Sequence, residues 1–547
     1  MKANDTQIRI FLEGTKQFMV PLFQRTYSWK KENIQKLWED LKDTKNDKES
    51  THFFGSFVTM PVPSSASGAS QYTIIDGQQR LVTIFIFLAA LRNRIIEINP
   101  EYEKKDEINE LYLINKYRPE DKYKVVPTQA DRNIFFTILN EVNPLVDSNH
   151  LIIETYRFFK NDKLSTINDL SDLVSLKDTL LSKFSVVDIR LENEDDPYLI
   201  FESLNATGTP LTQADLVRNY LFMRLNPNNQ QNVYDKIWFP MQQNLQDHLE
   251  DFIRHYLAMG GNIPNYNKIY ATFKDIADEK AKSEEDVIDI MNELLKYSEY
   301  YHTLLYPENE SEELKRYFEK FDRLEVTTSY PLLLKLYDDY ANKKLSIDDF
   351  AECLQVIETY IVRRAVCGIP TNVLNKYFPT IYNSLDQTNV PHSLKNKLKD
   401  GTGARRIPDN YEFKQCLQER KLFGRILQYL LEELERYNNK EVVDFEELQI
   451  EHIMPQTLSD EWKKELGSDW ELTYQKYLDT LGNLTLTGYN PEYSNKLFIK
   501  KRDMKKGFKD SGLQLNRDLA ELERWTEKEI LDRATKLSGI GLEIWGI

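Results

Sequence analysis

Glu451-His452-Ile453-Met454-Pro455-Gln456 is the stretch on which the reading of this chain turns. About thirty residues later come Leu481-Gly482-Asn483-Leu484-Thr485-Leu486, then Asn490, then Ser494, Asn495, Lys496, Phe498 and Lys500. The pattern predicts a short β-hairpin followed by a helix. Glu451 and His452 are adjacent, so on an extended strand their side chains point to opposite faces. A carboxylate and an amide carbonyl are hard oxygen ligands of the kind Mg²⁺ takes, with water completing the octahedron. An imidazole can take a proton from water, a contribution of roughly 10²–10⁴-fold in rate. These are the parts that hydrolysis of a phosphodiester needs. Asn483, opening the apolar strand, is placed to orient the imidazole through its other ring nitrogen. Asn490 falls where the following turn returns toward the metal, with Asn495 as a rival second ligand. Taken singly, a His beside a Glu reads as a surface pair and an Asn in a Gly-Asn turn as a backbone device. The ordered set, with Pro455, Trp462 and the basic tract that follows, favours a site.

That tract runs from Lys496 to Lys509 and holds Lys496, Lys500, Lys501, Arg502, Lys505, Lys506 and Lys509 against the single acid Asp503. Alone it would read as a solvated helix face. Beside the motif it predicts a local surface for a phosphate backbone. The formal charge of the 547-residue chain is −16, which excludes a protein that coats nucleic acid non-specifically. It leaves room for a local basic surface. No apolar run reaches the roughly 18 residues of a membrane span, and the N-terminus lacks the apolar core of a signal peptide. The three cysteines, Cys353, Cys367 and Cys416, form no CxxC pair. A cytoplasmic location, without a membrane partner, is the expectation.

The N-terminal part carries three further motifs: residues 20–29 (VPLFQRTYSW), 74–81 (IIDGQQRL) and 201–219 (FESLNATGTPLTQADLVRN). In the second, a strand ends in Asp76-Gly77 and a helix follows. Gly77 permits close backbone approach, a helix N-terminus attracts anions, and Gln78, Gln79 and Arg80 add donors. This makes a plausible phosphate site, and Asp76 could hold a metal or a ribose hydroxyl. It is not a Walker P-loop, since no GxxxxGK[ST] occurs. A well-capped turn with a surface arginine would use the same letters.

Around these motifs the periodicities predict a helix over 29–41 with Ser28 as N-cap, strands over 53–60, 72–75 and 184–191, and a Pro/Ser/Gly loop over 61–70. A polar turn is expected at 76–80, an apolar helix from 81 to about 96, and a helix over 213–225 opened by a Thr212–Asp215 capping box. Strand signals then fade, and amphipathic stretches near 283–306, 309–340, 347–364 and 412–438 predict helices. The expected fold class is α+β, multidomain and helix-rich. The expected domains are 1–228, an all-helical connector over 229–405, and 406–547. His248 and His255 are expected to be ordinary surface or packing residues.

The C-terminal motifs resemble the HNH (ββα-metal, His-Me finger) endonucleases, in particular the branch known as DUF1524, and also the HNH module of RNA-guided nucleases. The resemblance implies His452 as general base, Glu451 and Asn490 as metal ligands with Asn495 as the rival, and Asn483 as the residue that braces the loop and the histidine. It implies Lys500, with Asn495, near the DNA backbone; Lys496, Lys501, Arg502, Lys505 and Lys506 extend that surface. The three N-terminal motifs resemble the DUF262 family, whose fold is similar to ParB and sulfiredoxin. By that resemblance Gln24, Arg25, Asp76, Gly77, Gln78, Gln79 and Arg80 are candidates for a nucleoside triphosphate (GTP, ATP or UTP), joined by Asn205, Asp215 and Arg218. The two together in one chain resemble the GmrSD-type, modification-dependent (type IV) restriction enzymes and the phosphorothioate-sensing SspE nucleases. That implies bacterial or archaeal anti-phage defence, Mg²⁺ or Mn²⁺ as cofactor, double-stranded DNA as partner, and nucleotide control. A homodimer is implied by the two cuts a double-strand break requires. Two alternatives stay open on sequence: an NTPase sensor for which DNA is the effector, and an RNA-cleaving toxin.

Overall fold

The computed structural model describes the whole chain except residues 23, 48–50, 63–68, 117, 121, 141–148, 193–194, 196–199, 201–210, 438, 440 and 442. The chain forms two compact units, residues 1–239 with 270–291, and residues 240–269 with 292–547. The helical stretch expected as a separate connector over 229–405 is thus divided between them.

The first unit is built on a six-stranded mixed sheet: β1 (Lys2–Gln7), β2 (Lys16–Met19), β3 (His52–Pro61), β4 (Ser70–Asp76), β5 (Val125–Val126) and β6 (Phe184–Arg190), in the order β1-β6-β3-β4-β2-β5. β3 and β4 pair antiparallel, with Val58 opposite Asp76 and a register shift between Val58 and Thr59. β3 also pairs in parallel with β6. Helix α1 (Lys31–Asn46) lays Ile34, Leu37, Trp38 and Leu41 into the core. Its N-cap is Lys30 and not Ser28, because the Ser28 N–H donates to Gln79 Oε1 at 2.8 Å and so lies before the helix. Helix α2 (Gln78–Ile98) is the apolar stretch expected from about residue 81; it starts earlier and is buried along most of its length. The expected polar turn at Gln78–Arg80 is therefore its first turn. Gly77 caps it with φ 95°, and a Cβ there would lie 2.5 Å from the Phe57 ring and 3.0 Å from Ser56 O. Only glycine lets β4 turn into α2 so close to β3. Helix α3 (Gln213–Phe222) opens with the expected Thr212–Asp215 capping box.

The second unit is helical apart from one hairpin, and among the described residues no strand lies between β6 and that hairpin. The stretch expected as one helix over 309–340 is two, α4 (Glu312–Leu324) and α5 (Tyr330–Ala341), because Glu325 takes a left-handed conformation with φ 48°. α6 (Ile347–Val366) follows. The expected helix over 412–438 is also two, α7 (Asn410–Glu419) and α8 (Gly424–Arg436), separated by an extended segment. Strands β7 (Gln449–His452) and β8 (Leu484–Thr487) pair antiparallel, with Glu451 opposite Thr485 and His452 opposite Leu484. Leu484 and Leu486 pack in one apolar cluster with Leu422, Leu427 and Leu430, while Ile453 and Met454 pack in another with Trp462, Phe498 and Trp525. The hairpin is thus held by a core on either side. Short helices α9 (Asn490–Tyr493) and α10 (Phe498–Asp503) come after β8, and α11 (Glu527–Ile544) completes the unit. Gly482 sits against α11, where a Cβ would come 2.3 Å from Ile530 O.

Candidate active site

Adjacent positions on β7 send Glu451 and His452 to different surroundings, as a strand must. Glu451 is buried, and His452 is partly exposed. Both line an open cavity of about 700 Å³ together with Leu422, Phe423, Asp479, Asn490 and Asn495. The three residues expected around the metal, Glu451, Asn490 and Asn495, therefore meet the expected base on one surface.

The imidazole is held by a residue that the sequence reading missed. His452 Nε2 lies 3.2 Å from Asp479 Oδ1. A carboxylate only accepts, so Nε2 carries a proton, and in the neutral ring the lone pair is on Nδ1. Asp479 lies four residues before Asn483, just after the helix Trp470–Tyr477; an acid there has no periodic or motif signal to distinguish it from a surface residue.

Asn483 has another task. It is fully buried, accepts the Met454 N–H at 2.7 Å, and donates to Met454 O at 3.0 Å and Leu478 O at 2.9 Å. Its Oδ1 also accepts from Trp525 Nε1 at 2.9 Å. The expected brace on the loop is present, but the expected hydrogen bond to the imidazole is replaced by Asp479. Asn490 donates from Nδ2 to Ile450 O at 2.9 Å, which ties its amide to the residue before Glu451.

Glu451 accepts from Lys501 Nζ at 2.5 Å, and the same ammonium donates to His452 O at 2.8 Å and Ile453 O at 3.2 Å. Burial pushes the Glu451 carboxyl above its usual range and the Lys501 ammonium below its own, each opposed by the partner's charge. Lys501, expected on a DNA surface, is fully buried and holds the hairpin. Lys500, its neighbour in the chain, is exposed, 3.9 Å from Glu461. Arg502 is also withdrawn from the expected surface: it is buried between Asp503 and Glu523 and donates to Leu522 O at 2.6 Å. On a helical tract, consecutive basic residues face different sides, so two turn inward. Lys496, Lys500, Lys505 and Lys506 remain exposed.

In the first unit, Arg25 of the first motif lies within electrostatic reach of Asp76 of the second and of Asp215 and Arg218 of the third. Burial pulls the Arg25 guanidinium below its usual value, with Arg218 adding to that and Asp215 and Asp76 opposing it. Arg218 is buried and pairs with Asp215 at 2.9 Å. The glutamines mostly hold main chain. Gln24 Nε2 donates to Ile74 O and Ile75 O at 3.2 and 2.7 Å, Gln78 Nε2 to Arg25 O at 3.2 Å, and Gln79 Nε2 to Thr26 O at 3.1 Å. Arg80 donates to Ser56 O at 2.6 Å and Asp76 Oδ2 at 3.1 Å. Asn205 lies outside the described residues.

Of the other histidines, His255 is buried, 3.1 Å from Tyr301 OH, and burial pulls it down to about 4. It is the packing residue expected. Cys367 and Cys416, distant in sequence, come together with Glu412, but Arg406 holds both Glu412 oxygens at 2.5 and 2.7 Å. Among the described residues no helix is long and apolar enough to cross a membrane.

The family model described as the N-terminal domain of GmrSD restriction endonuclease matches residues 8–222, and that described as the C-terminal domain of GmrSD restriction endonucleases matches residues 406–540. No curated protein matches the chain. The first match contains the Arg25–Asp76–Arg218 cluster and the second the whole His452 cavity, and with both domains in one polypeptide the chain belongs to the GmrSD family of type IV restriction endonucleases.

Proposed function

We propose that this restriction endonuclease cleaves DNA by an HNH, ββα-metal mechanism with His452 as the general base, and that a nucleoside triphosphate bound through the Arg25–Asp76–Arg218 cluster controls it. The observation that carries the reading is the Asp479–His452 pair on a cavity shared with Glu451 and Asn490, a pairing through Nε2 that leaves Nδ1 to act as the base. His452 takes the proton of the attacking water. Asp479 fixes the ring and stabilises the imidazolium that results. Asn483 holds the Met454 turn, and so the residue pair before it, in place.

The donors around the cavity suit a hard divalent cation. Among the described residues Glu451 has one side-chain partner, Lys501, on Oε1, and the Asn490 amide is oriented by its own N–H. Glu451 and Asn490 would hold Mg²⁺ or Mn²⁺, with Asn495 nearby. Such an ion, when bound, stabilises charge on the phosphate and the leaving oxygen. Exposed Lys496, Lys500, Lys505 and Lys506 contact the backbone of the strand. The ParB-like character of the first unit, its use of GTP, ATP or UTP, a homodimeric assembly and a role in anti-phage defence belong to the same proposal.

The test is cleavage of plasmid and phage DNA with Mg²⁺ or Mn²⁺, with and without each triphosphate, by wild type and His452→Ala. Cleavage that falls by roughly 10²–10⁴-fold or more in the variant, with unchanged thermal unfolding, supports the base assignment. Equal cleavage by both proteins overturns it. Nucleotide hydrolysis without cleavage of any substrate moves the reading to an NTPase sensor, and cleavage of RNA alone moves it to a ribonuclease.

A further inference from the structure

One wall of the His452 cavity is apolar and exposed. Phe423, between α7 and α8, is 60% exposed and lines the same cavity as His452, Asp479 and Asn490. Single exposed apolar residues are ordinary on protein surfaces, and Tyr411 and Leu472 are others here. The setting of Phe423 differs. Leu422 beside it is buried, and its N–H donates to Asp479 O at 2.9 Å, so the segment carrying Phe423 is tied to the residue that holds the imidazole. Lys421 bridges Thr480. The backbone is thus anchored on the catalytic side, while the ring stays outside both neighbouring apolar clusters.

The charges around the ring indicate what covers it. In sequence Lys421 and Arg425 stand two residues to either side of it, and each is about half exposed; Lys421 is 3.9 Å from Asp479 and Arg425 pairs with Glu325. Asn495, on the same cavity, adjoins exposed Lys496. An exposed aromatic ring on a polar cavity, carried by a segment with half-exposed cations two residues to either side, suits single-stranded nucleic acid: bases stack on the ring and phosphates meet the cations. A protein partner would want a broader apolar patch.

We propose that Phe423 is a stacking residue for a nucleobase displaced from its neighbours at the scissile phosphate, so that the preferred substrate has an unstacked base at the cut. This rests on the nuclease reading of the His452 cavity and specifies the substrate class of that site. Lys421 and Arg425 meet the adjoining phosphates. Phe423 is a positioning residue: it sets where the strand lies relative to His452 and takes no part in proton transfer.

The test uses the full chain in EDTA, so that binding is read without cleavage. The probes are an oligonucleotide carrying 2-aminopurine, the same strand in a perfect duplex, and a duplex with one bulged 2-aminopurine. Wild type is expected to bind the single-stranded and bulged forms better than the perfect duplex and to quench the fluorophore. Phe423→Ala should weaken binding of those two by about five- to hundredfold and lose the quench. Phe423→Trp should keep both, and Phe423→Leu should not restore the quench. Cleavage by the same proteins, with Mg²⁺ or Mn²⁺ added, should fall in the alanine variant chiefly through KM. Wild-type cleavage with unchanged binding, quench and KM in Phe423→Ala overturns the inference and leaves the nuclease intact. Full rescue by leucine also overturns it, since an apolar cover alone would then suffice. A wild type that neither binds nor cuts any of the probes overturns both readings.

Discussion

The hairpin site and the N-terminal motif cluster begin from the same material, short runs of polar residues where a strand ends, and put it to different uses. On β7, neighbours diverge by strand geometry: His452 reaches the cavity with Asp479 behind it, while Glu451 turns in toward buried Lys501. At the β4–α2 turn, the chain folds beneath the 20–29 segment, and Gln24, Gln78 and Gln79 bond main-chain carbonyls. The arginines and aspartates there pair with one another, Arg80 with Asp76 and Arg218 with Asp215. Buried carbonyls demand partners, and a long amide side chain close by supplies them more cheaply than water can. A motif letter therefore marks a place, and packing decides whether that residue meets a ligand or holds the wall.

The sharpest way to break this contrast is at the lysine pair. Lys501→Met leaves the Glu451 carboxylate buried without its cation, and the second unit should lose about 3–5 kcal/mol of stability by denaturant unfolding. Lys500→Met, one residue away and exposed, should leave stability within about 0.5 kcal/mol and lower the salt dependence of DNA binding by about one ion. Equal effects of the two on stability would show that Lys501 is not the internal strut.

Asp479→Asn probes the other half of the hairpin site. The fold should stand, because Asp479 is partly exposed. The amide can present either N–H or oxygen to Nε2, so the ring loses its fixed tautomer, and kcat should drop by roughly 10²-fold with KM unchanged. An unchanged kcat would sever Asp479 from the imidazole; a rise in KM alone would make it a binding residue.

These two positions also mark where sequence reading stopped. The hairpin, the apolar helix α2, the Thr212 cap and the meeting of Glu451, His452 and Asn490 follow from local pattern, because strand alternation and capping are set by neighbours in sequence. Asp479 and Lys501 act through contacts 27 and 49 or 50 residues away and carry no local signal. The breaks at Glu325 and before Gly424 were missed for a related reason: the amphipathic period continues through both, and only backbone geometry interrupts it. The basic tract misled in the opposite direction, since its composition hides that Lys501 and Arg502 face inward.

The smallest expected effect tests the N-terminal half of the comparison. Gln24 is buried, and its amide N–H groups go to Ile74 O and Ile75 O, the last residues of β4 before Asp76. Gln24→Leu keeps most of the volume and removes the donors, so two carbonyls lose a partner and the first unit should be destabilised by about 1–3 kcal/mol. Nucleotide binding, measured by calorimetry on the folded variant, should weaken only through that loss of order. Arg25→Ala should do the reverse. Its guanidinium is disfavoured by burial and by Arg218 and favoured by Asp215 and Asp76, and an anionic ligand that meets it loses that cation in the variant, so nucleotide binding should fall more than stability. If Gln24→Leu abolishes nucleotide binding at unchanged stability, the amide points at the ligand after all, and the two clusters use their polar residues alike.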